Sequence, residues 1–152
     1  MKKLGFIGMG NMGSAILLGA INSGFLAGEN TIAFDINADK IKALNAQCGM
    51  SIAKSSQDVI QNSQMVLIAV KPIHVEDILT EFKDLLKGKT LLSIAAGWSY
   101  ARYKEIVDAS TRICTIMPNT PAMVGEGMTL IDSTNDLTTE QLLFVRNLFA
   151  SL

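Results

Sequence analysis

Three glycines spaced G-x-G-x-x-G, namely Gly8, Gly10 and Gly13, constrain this 152-residue chain more than any other feature. An apolar run, Leu4-Gly5-Phe6-Ile7, ends directly in them, and Ser14-Ala15-Ile16-Leu17-Leu18 with Ala20-Ile21 follows, up to Gly24. The pattern predicts a buried strand, a tight glycine turn, and a helix with a glycine stop. In such a turn the first glycine allows the sharp bend and the second lets a pyrophosphate approach bare backbone. The third lets the helix sit close against the strand, and the helix N-terminus offers unpaired N–H groups and a partial positive charge. Glycine turns are common, so context decides. A second apolar stretch, Thr31-Ile32-Ala33-Phe34, ends in Asp35, 22 residues beyond Gly13. A carboxylate there can accept hydrogen bonds from the ribose hydroxyls of a dinucleotide. Dinucleotide binding is therefore the working reading.

The rest of the chain alternates strands with helices. Asn37 caps a helix through Gln47 that Gly49 stops, Met50 to Ala53 is a short connecting segment, and Ser55-Ser56 opens a helix through Asn62. Gln64 to Val70 is apolar without alternation, as a strand buried on both faces should be, and it ends at Lys71-Pro72. Proline holds Lys71 extended. Ile73 to Leu86 has apolar residues at helical spacing, and Thr90 to Ile94 is another buried strand finishing in Ala95-Ala96-Gly97. Those small residues either keep space open for a ligand or let a helix pack tightly. A helix over Ser99–Val107, a strand over Thr111–Met117, the double-proline loop Pro118 to Ala122, a strand over Met128–Ile131 and a helix from Thr138 or Thr139 complete the chain. This order predicts an α/β, Rossmann-like doubly wound fold: a mostly parallel sheet with helices on both faces and right-handed crossovers, in one domain spanning 1–152. Ligands of such sheets lie at the carboxyl ends of the strands, which is where Lys71-Pro72 falls.

Composition removes several alternatives. Apolar residues make up 49% and charged ones 18%, as continuous buried strands require. The net charge is −1 with no basic block, which argues against nucleic acid. The uncharged run Leu4 to Gly28 after Lys2-Lys3 is broken by glycine and asparagine, so neither a signal peptide nor a membrane span is expected, and the protein is read as cytoplasmic. Cys48 and Cys114 lack metal or redox spacing and read as free thiols.

Four blocks, taken together, carry a family resemblance. They are Gly5-Phe6-Ile7-Gly8-Met9-Gly10-Asn11-Met12, Ala69-Val70-Lys71-Pro72, Ser93-Ile94-Ala95-Ala96-Gly97 and Met117-Pro118-Asn119-Thr120-Pro121-Ala122, with Gly127-Met128-Thr129 after them. In order and spacing they resemble the N-terminal domain of pyrroline-5-carboxylate reductase, over essentially the whole chain. The resemblance implies hydride transfer from NADP or NAD, in reduced form, to the C=N bond of Δ1-pyrroline-5-carboxylate, giving L-proline. It implies that Ile7, Gly8, Met9, Gly10, Asn11 and Met12, with Gly13 behind them, cradle the cofactor phosphates. By the same resemblance Asp35 and Asn37 face the adenosine ribose, and Ser56 lies near the adenine. Ala69, Val70, Lys71 and Pro72, with Ile94, Ala95 and Ala96, line the nicotinamide half, and Asn119 lies where nicotinamide and substrate meet.

Two departures follow. Relatives commonly carry small polar or basic residues where Asp35 stands, and Asp35 would repel a 2′-phosphate. That points to NADH or dual use, with Lys40 able to offset the charge. The family also continues as a helical domain that forms the homo-oligomer and binds the substrate carboxylate. The expectation is that this second domain is missing here, so that the chain binds cofactor yet lacks most of the substrate site. No residue is assigned as catalytic and none as a metal ligand. Lys71 could orient a ligand or simply be solvated, His74 reads as a surface residue, and Trp98 could shield the site. The alternatives are another imine or 3-hydroxyacid reductase on the same fold, or a non-catalytic dinucleotide-binding module.

Overall fold

The computed structural model describes residues 1–118 and 129–152. Among them, seven strands form one sheet: β1 (Lys2–Ile7), β2 (Thr31–Phe34), β3 (Ser51–Ile52), β4 (Ser63–Ile68), β5 (Thr90–Ser93), β6 (Arg112–Pro118) and β7 (Thr129–Ile131), in the order β3-β2-β1-β4-β5-β6-β7. Six run parallel, and β7 alone pairs antiparallel, with Met117 opposite Leu130. The chain leaves β1 toward β2 on one side and returns to β4 on the other, so the strand order reverses between β1 and β4. In an open sheet this places a crevice at their carboxyl ends.

The period of two along each strand divides the core into two layers. Leu4 and Phe6 of β1, Met65 and Leu67 of β4, Leu92 of β5 and Cys114 and Ile116 of β6 point to one face. That face is covered by α1 (Asn11–Asn22), α2 (Ala38–Cys48) and α6 (Thr139–Ala150). Ile7, Val66, Ile68, Leu91 and Ile113 point to the other, under α3 (Ser56–Gln61), α4 (Val75–Glu81) and α5 (Tyr100–Ile106). Helices thus cover both faces, and the central strands are buried on both sides. Burial also pushes the Cys114 thiol up to about 11, with Asp132 and Asp136 adding to the shift.

Four helices begin on a capping side chain. Asn37, Ser55, Ser99 and Thr138 each accept from a backbone N–H in the first turn of α2, α3, α5 and α6, the last completed by Gln141 as a capping box. Gly49 ends α2 at φ +77°. Two expectations need correction. The helix expected over Ile73–Leu86 is a Pro72–His74 turn followed by α4, which stops at Glu81. Phe82 leaves the helical region at φ −107°, ψ 17°, and single turns, such as Leu86 N–H to Phe82 O at 3.0 Å, carry Leu86 into the core. The connecting segment after Gly49 contains a two-residue edge strand, β3, whose pairing with Ile32 and Ala33 is supplied by β2. Local sequence could not show that partner.

Candidate dinucleotide-binding site

The glycine turn sits at the β1–β4 reversal, and its three glycines have different causes. Gly8 has φ +94°, and a Cβ there would lie 2.8 Å from the carbonyl carbon of Ala69. Gly13 would put a Cβ 2.7 Å from the Gly8 carbonyl oxygen. Both are demanded by the protein's own packing: α1 must press against the turn, and the turn against the end of β4. Gly10 is different. Its φ of −67° and ψ of −168° suit any residue, and a Cβ there would meet nothing within 4 Å. Among the described residues no contact requires a glycine at this position, so the open space above it is what the missing side chain preserves.

Gly10 is also the N-cap of α1. It has no side chain to cap the helix, and the first turn holds no acidic residue. Ser14 N–H is the first to bond back, to Gly10 O at 3.0 Å. Among the described residues the N–H groups of Asn11 and Met12, which line the crevice, therefore have no side-chain acceptor, with the helix dipole behind them.

Asp35 lies just beyond β2 and is half-buried. Its Oδ2 accepts from Met9 N–H at 2.6 Å and its Oδ1 from Asn37 N–H at 2.8 Å. One carboxylate thus ties the glycine turn to the β2–α2 loop and is fixed at the crevice wall. Backbone bonds from Gly8 N–H to Phe34 O (2.9 Å) and from Ala69 N–H to Ile7 O (2.8 Å) complete the frame.

Above the frame the crevice has two lobes. The first, about 500 Å³, is lined by Ile7, Gly8, Gly10, Asp35, Ser56 and Lys71, among others. The second, about 430 Å³, runs over Asn11, Met12, Pro72, Ile94, Ala95 and Ala96 to Ile116, Met117 and Pro118. Gly10, Ala69, Val70 and Lys71 line both, so the lobes join over the glycine turn. Lys71 is extended as expected, at φ −59° and ψ 144°, because Pro72 follows it.

Of the residues singled out from sequence, three stand apart from the lobe walls. The Met9 side chain is fully buried in the core, so only its backbone belongs to the turn. Gly13 is buried under Gly8, and Asn37 is exposed with its Oδ1 committed to capping Lys40 N–H at 3.1 Å. Asn119 lies outside the described residues. The sequence reading did not name Ile36, His74 and Ile78 in the first lobe or Ile116, Met117 and Pro118 in the second. Ile36 is 94% exposed, which sequence alone does not show for an isoleucine at a strand end. His74 does sit on the surface, on the turn after Pro72, but it also lines the first lobe.

This architecture is matched by a family of proteins. The family model described as NADP oxidoreductase, coenzyme F420-dependent, covers residues 3–97, which hold the glycine turn, Asp35, Lys71-Pro72 and the turn after β5. The chain belongs to this family. Within the wider set of relatives, the chain is similar to pyrroline-5-carboxylate reductase of Escherichia coli, at 38% identity over 97% of the chain and 55% of the relative. The same enzyme of Methanosarcina acetivorans is 32% identical over 99% of the chain and 56% of the relative. A crystal structure of the Plasmodium falciparum pyrroline carboxylate reductase with NADP bound superimposes with a TM-score of 0.86 at 29% identity, over 99% of this chain and 55% of that one. The chain thus spans about 55% of the length of the relatives it matches. Among the described residues no helix is long and apolar enough to cross a membrane.

Proposed function

We propose that this chain is the dinucleotide-binding part of a pyrroline-5-carboxylate reductase, which reduces Δ1-pyrroline-5-carboxylate to L-proline with NAD(P)H in the cytoplasm. The observation that carries the reading is Gly10: an unconstrained backbone position kept bare at a helix N-terminus, between two lobes large enough for the halves of a dinucleotide. In this reading the N–H groups of Asn11 and Met12 bind the pyrophosphate. The first lobe, with Asp35 and Ser56, takes the adenosine, and the second, with Ala95, Ala96 and Pro72, takes the nicotinamide. Reduced nicotinamide, when bound, supplies the hydride.

The chain's own contribution is placement and exclusion of water. The apolar lining of the second lobe, Ile94 to Ala96 with Ile116, holds a flat ring against the sheet ends and keeps solvent from that face. Lys71, at the junction of the lobes, is placed to orient a ribose or phosphate oxygen as a point charge. Carbon accepts hydride when the imine nitrogen carries a proton, and the described cleft offers no paired acid and base to deliver one. We therefore assign no catalytic residue to it.

Asp35 favours NADH over NADPH. Its carboxylate is fixed by Met9 and Asn37, so it cannot swing away from a 2′-phosphate, whereas a 2′-hydroxyl can donate to it. The readings as another imine reductase or a 3-hydroxyacid reductase share the fold, but named pyrroline-5-carboxylate reductases reach 32–38% identity with this chain, against 22% for a solved imine reductase. A parallel fluorescence titration of the chain with NADH and NADPH tests the proposal. Saturable binding with NADH the tighter ligand is expected. Binding of neither would overturn the assignment of a self-sufficient dinucleotide site.

A further inference from the structure

Trp98 is the chain's only tryptophan, and it follows the turn after β5. Ile94 to Gly97 leave the end of β5 between two openings. One is the second lobe of the crevice; the other is a groove lined by Ala95, Gly97, Trp98, Thr115, Met117 and Leu130. Side chains at positions 95 and 96 are single methyl groups and cannot anchor the turn. At Gly97 the chain reverses with φ +80°, and this folds Trp98 back beneath the turn, where it is 5% exposed.

There the indole N–H donates to the Pro72 carbonyl at 3.2 Å. Pro72 belongs to the turn after β4 and lines the second lobe together with Ala95 of the turn after β5. The indole ring is itself packed by two neighbours. Tyr103 lies against it at 5.0 Å between centroids, and the Arg102 guanidinium covers it at 3.7 Å. Tyr103 is fully buried and its hydroxyl is hydrogen-bonded to Ser93 Oγ, which also accepts from Ala95 N–H at 3.2 Å. Burial raises the tyrosine to about 12, so the phenol stays neutral in this contact.

We propose that Trp98, backed by Tyr103 and Ser93, is a positioning residue that sets the width of the nicotinamide half of the crevice by tying the turn after β4 to the turn after β5. The proposal rests on the dinucleotide reading above. A phenylalanine would fill most of the same space, so the indole N–H is what tryptophan adds. Its acceptor sits on an exposed residue, where water could replace it, so the bond contributes little to folding. What it fixes is a distance between two loops that no other side-chain hydrogen bond joins among the described residues.

The test separates the two halves of the ligand. Trp98→Phe is titrated calorimetrically with NADH and with ADP-ribose, which shares the adenosine and pyrophosphate but lacks nicotinamide. NADH binding is expected to weaken by up to about fivefold, the ceiling that one neutral hydrogen bond sets. ADP-ribose binding and the melting temperature should stay at wild-type values. Equal weakening of both ligands, or unchanged NADH affinity, overturns the proposal. Tyr103→Phe keeps the ring against Trp98 and removes only its hydroxyl, so it should weaken NADH alone, by less. If Trp98→Phe melts early, this second variant decides. A wild-type chain that binds neither ligand overturns the dinucleotide reading itself, and the positioning role with it.

Discussion

Replacing Gly10 with serine and Gly13 with alanine should separate ligand binding from packing within one motif. At Gly13 the new Cβ would lie 2.7 Å from the Gly8 carbonyl oxygen and 3.2 Å from Ala69 Cβ. Neither neighbour is a flexible side-chain end, so α1 must shift away from the turn. Overpacking of this kind costs about 1–3 kcal/mol, and in a domain of this size each kcal/mol lowers Tm by about 2–4 °C. At Gly10 the Cβ enters open space, and the backbone already has the extended geometry of a helix N-cap. Serine there is a better cap than glycine by a few tenths of a kcal/mol, so Tm should hold or rise slightly. The same side chain occupies the approach to the amides of Asn11 and Met12. Loss of two hydrogen bonds to a charged phosphate, about 1.5 kcal/mol each at the low end, weakens the dinucleotide by roughly 100-fold or more. Thermal melts paired with NADH titrations measure both quantities. Wild-type NADH affinity in Gly10→Ser would refute the reasoning, as would a fall in its Tm matching that of Gly13→Ala.

Two further outcomes follow from single carboxylates. Asp35→Ser should shift the ratio of NADPH to NADH affinity upward by about tenfold, because it removes a fixed like charge beside the 2′ position; an unchanged ratio would sink the ribose contact. Asp136 accepts from Lys104 Nζ at 2.8 Å and from Ile113 N–H at 2.6 Å. Partial burial opposes its ionisation, but the Lys104 and Ile113 donors outweigh that and hold the carboxyl below its ordinary range. A depressed carboxylate stabilises the fold above its unfolded pKa and ceases to do so as pH falls through the folded one. Asp136→Asn should therefore melt about 3–6 °C below wild type near neutrality, and the gap should close below about pH 4. A gap that persists in acid would show that the contact acts through packing rather than charge.

Much of this molecule is written in short-range pattern. The apolar runs before Gly8, Asp35 and Lys71 could only be buried strands, and alternation with amphipathic stretches left a doubly wound sheet as the consistent arrangement. The helix starts were equally legible at Asn37, Ser55, Ser99 and Thr138, because a cap acts within three residues of itself. The glycine motif placed the crevice for the same reason: turn, bare backbone and helix start are contiguous. Long-range contacts were not legible. The two-residue strand β3 exists only because β2 offers it a partner, and the early stop of α4 follows from the need to bring Leu86 onto the sheet. Sequence spacing pointed to Asp35 as a ribose contact, but not to its bond to the Met9 amide, 26 residues away, which fixes the carboxylate where it stands. Nor could it join Trp98 to Pro72, also 26 residues apart, across the mouth of the second lobe. Propensity and periodicity act over one or two turns of chain, so the sequence by itself determined most of the elements and pointed to a dinucleotide. Sheet order decides which loops meet above the crevice, and only tertiary structure could set that distance.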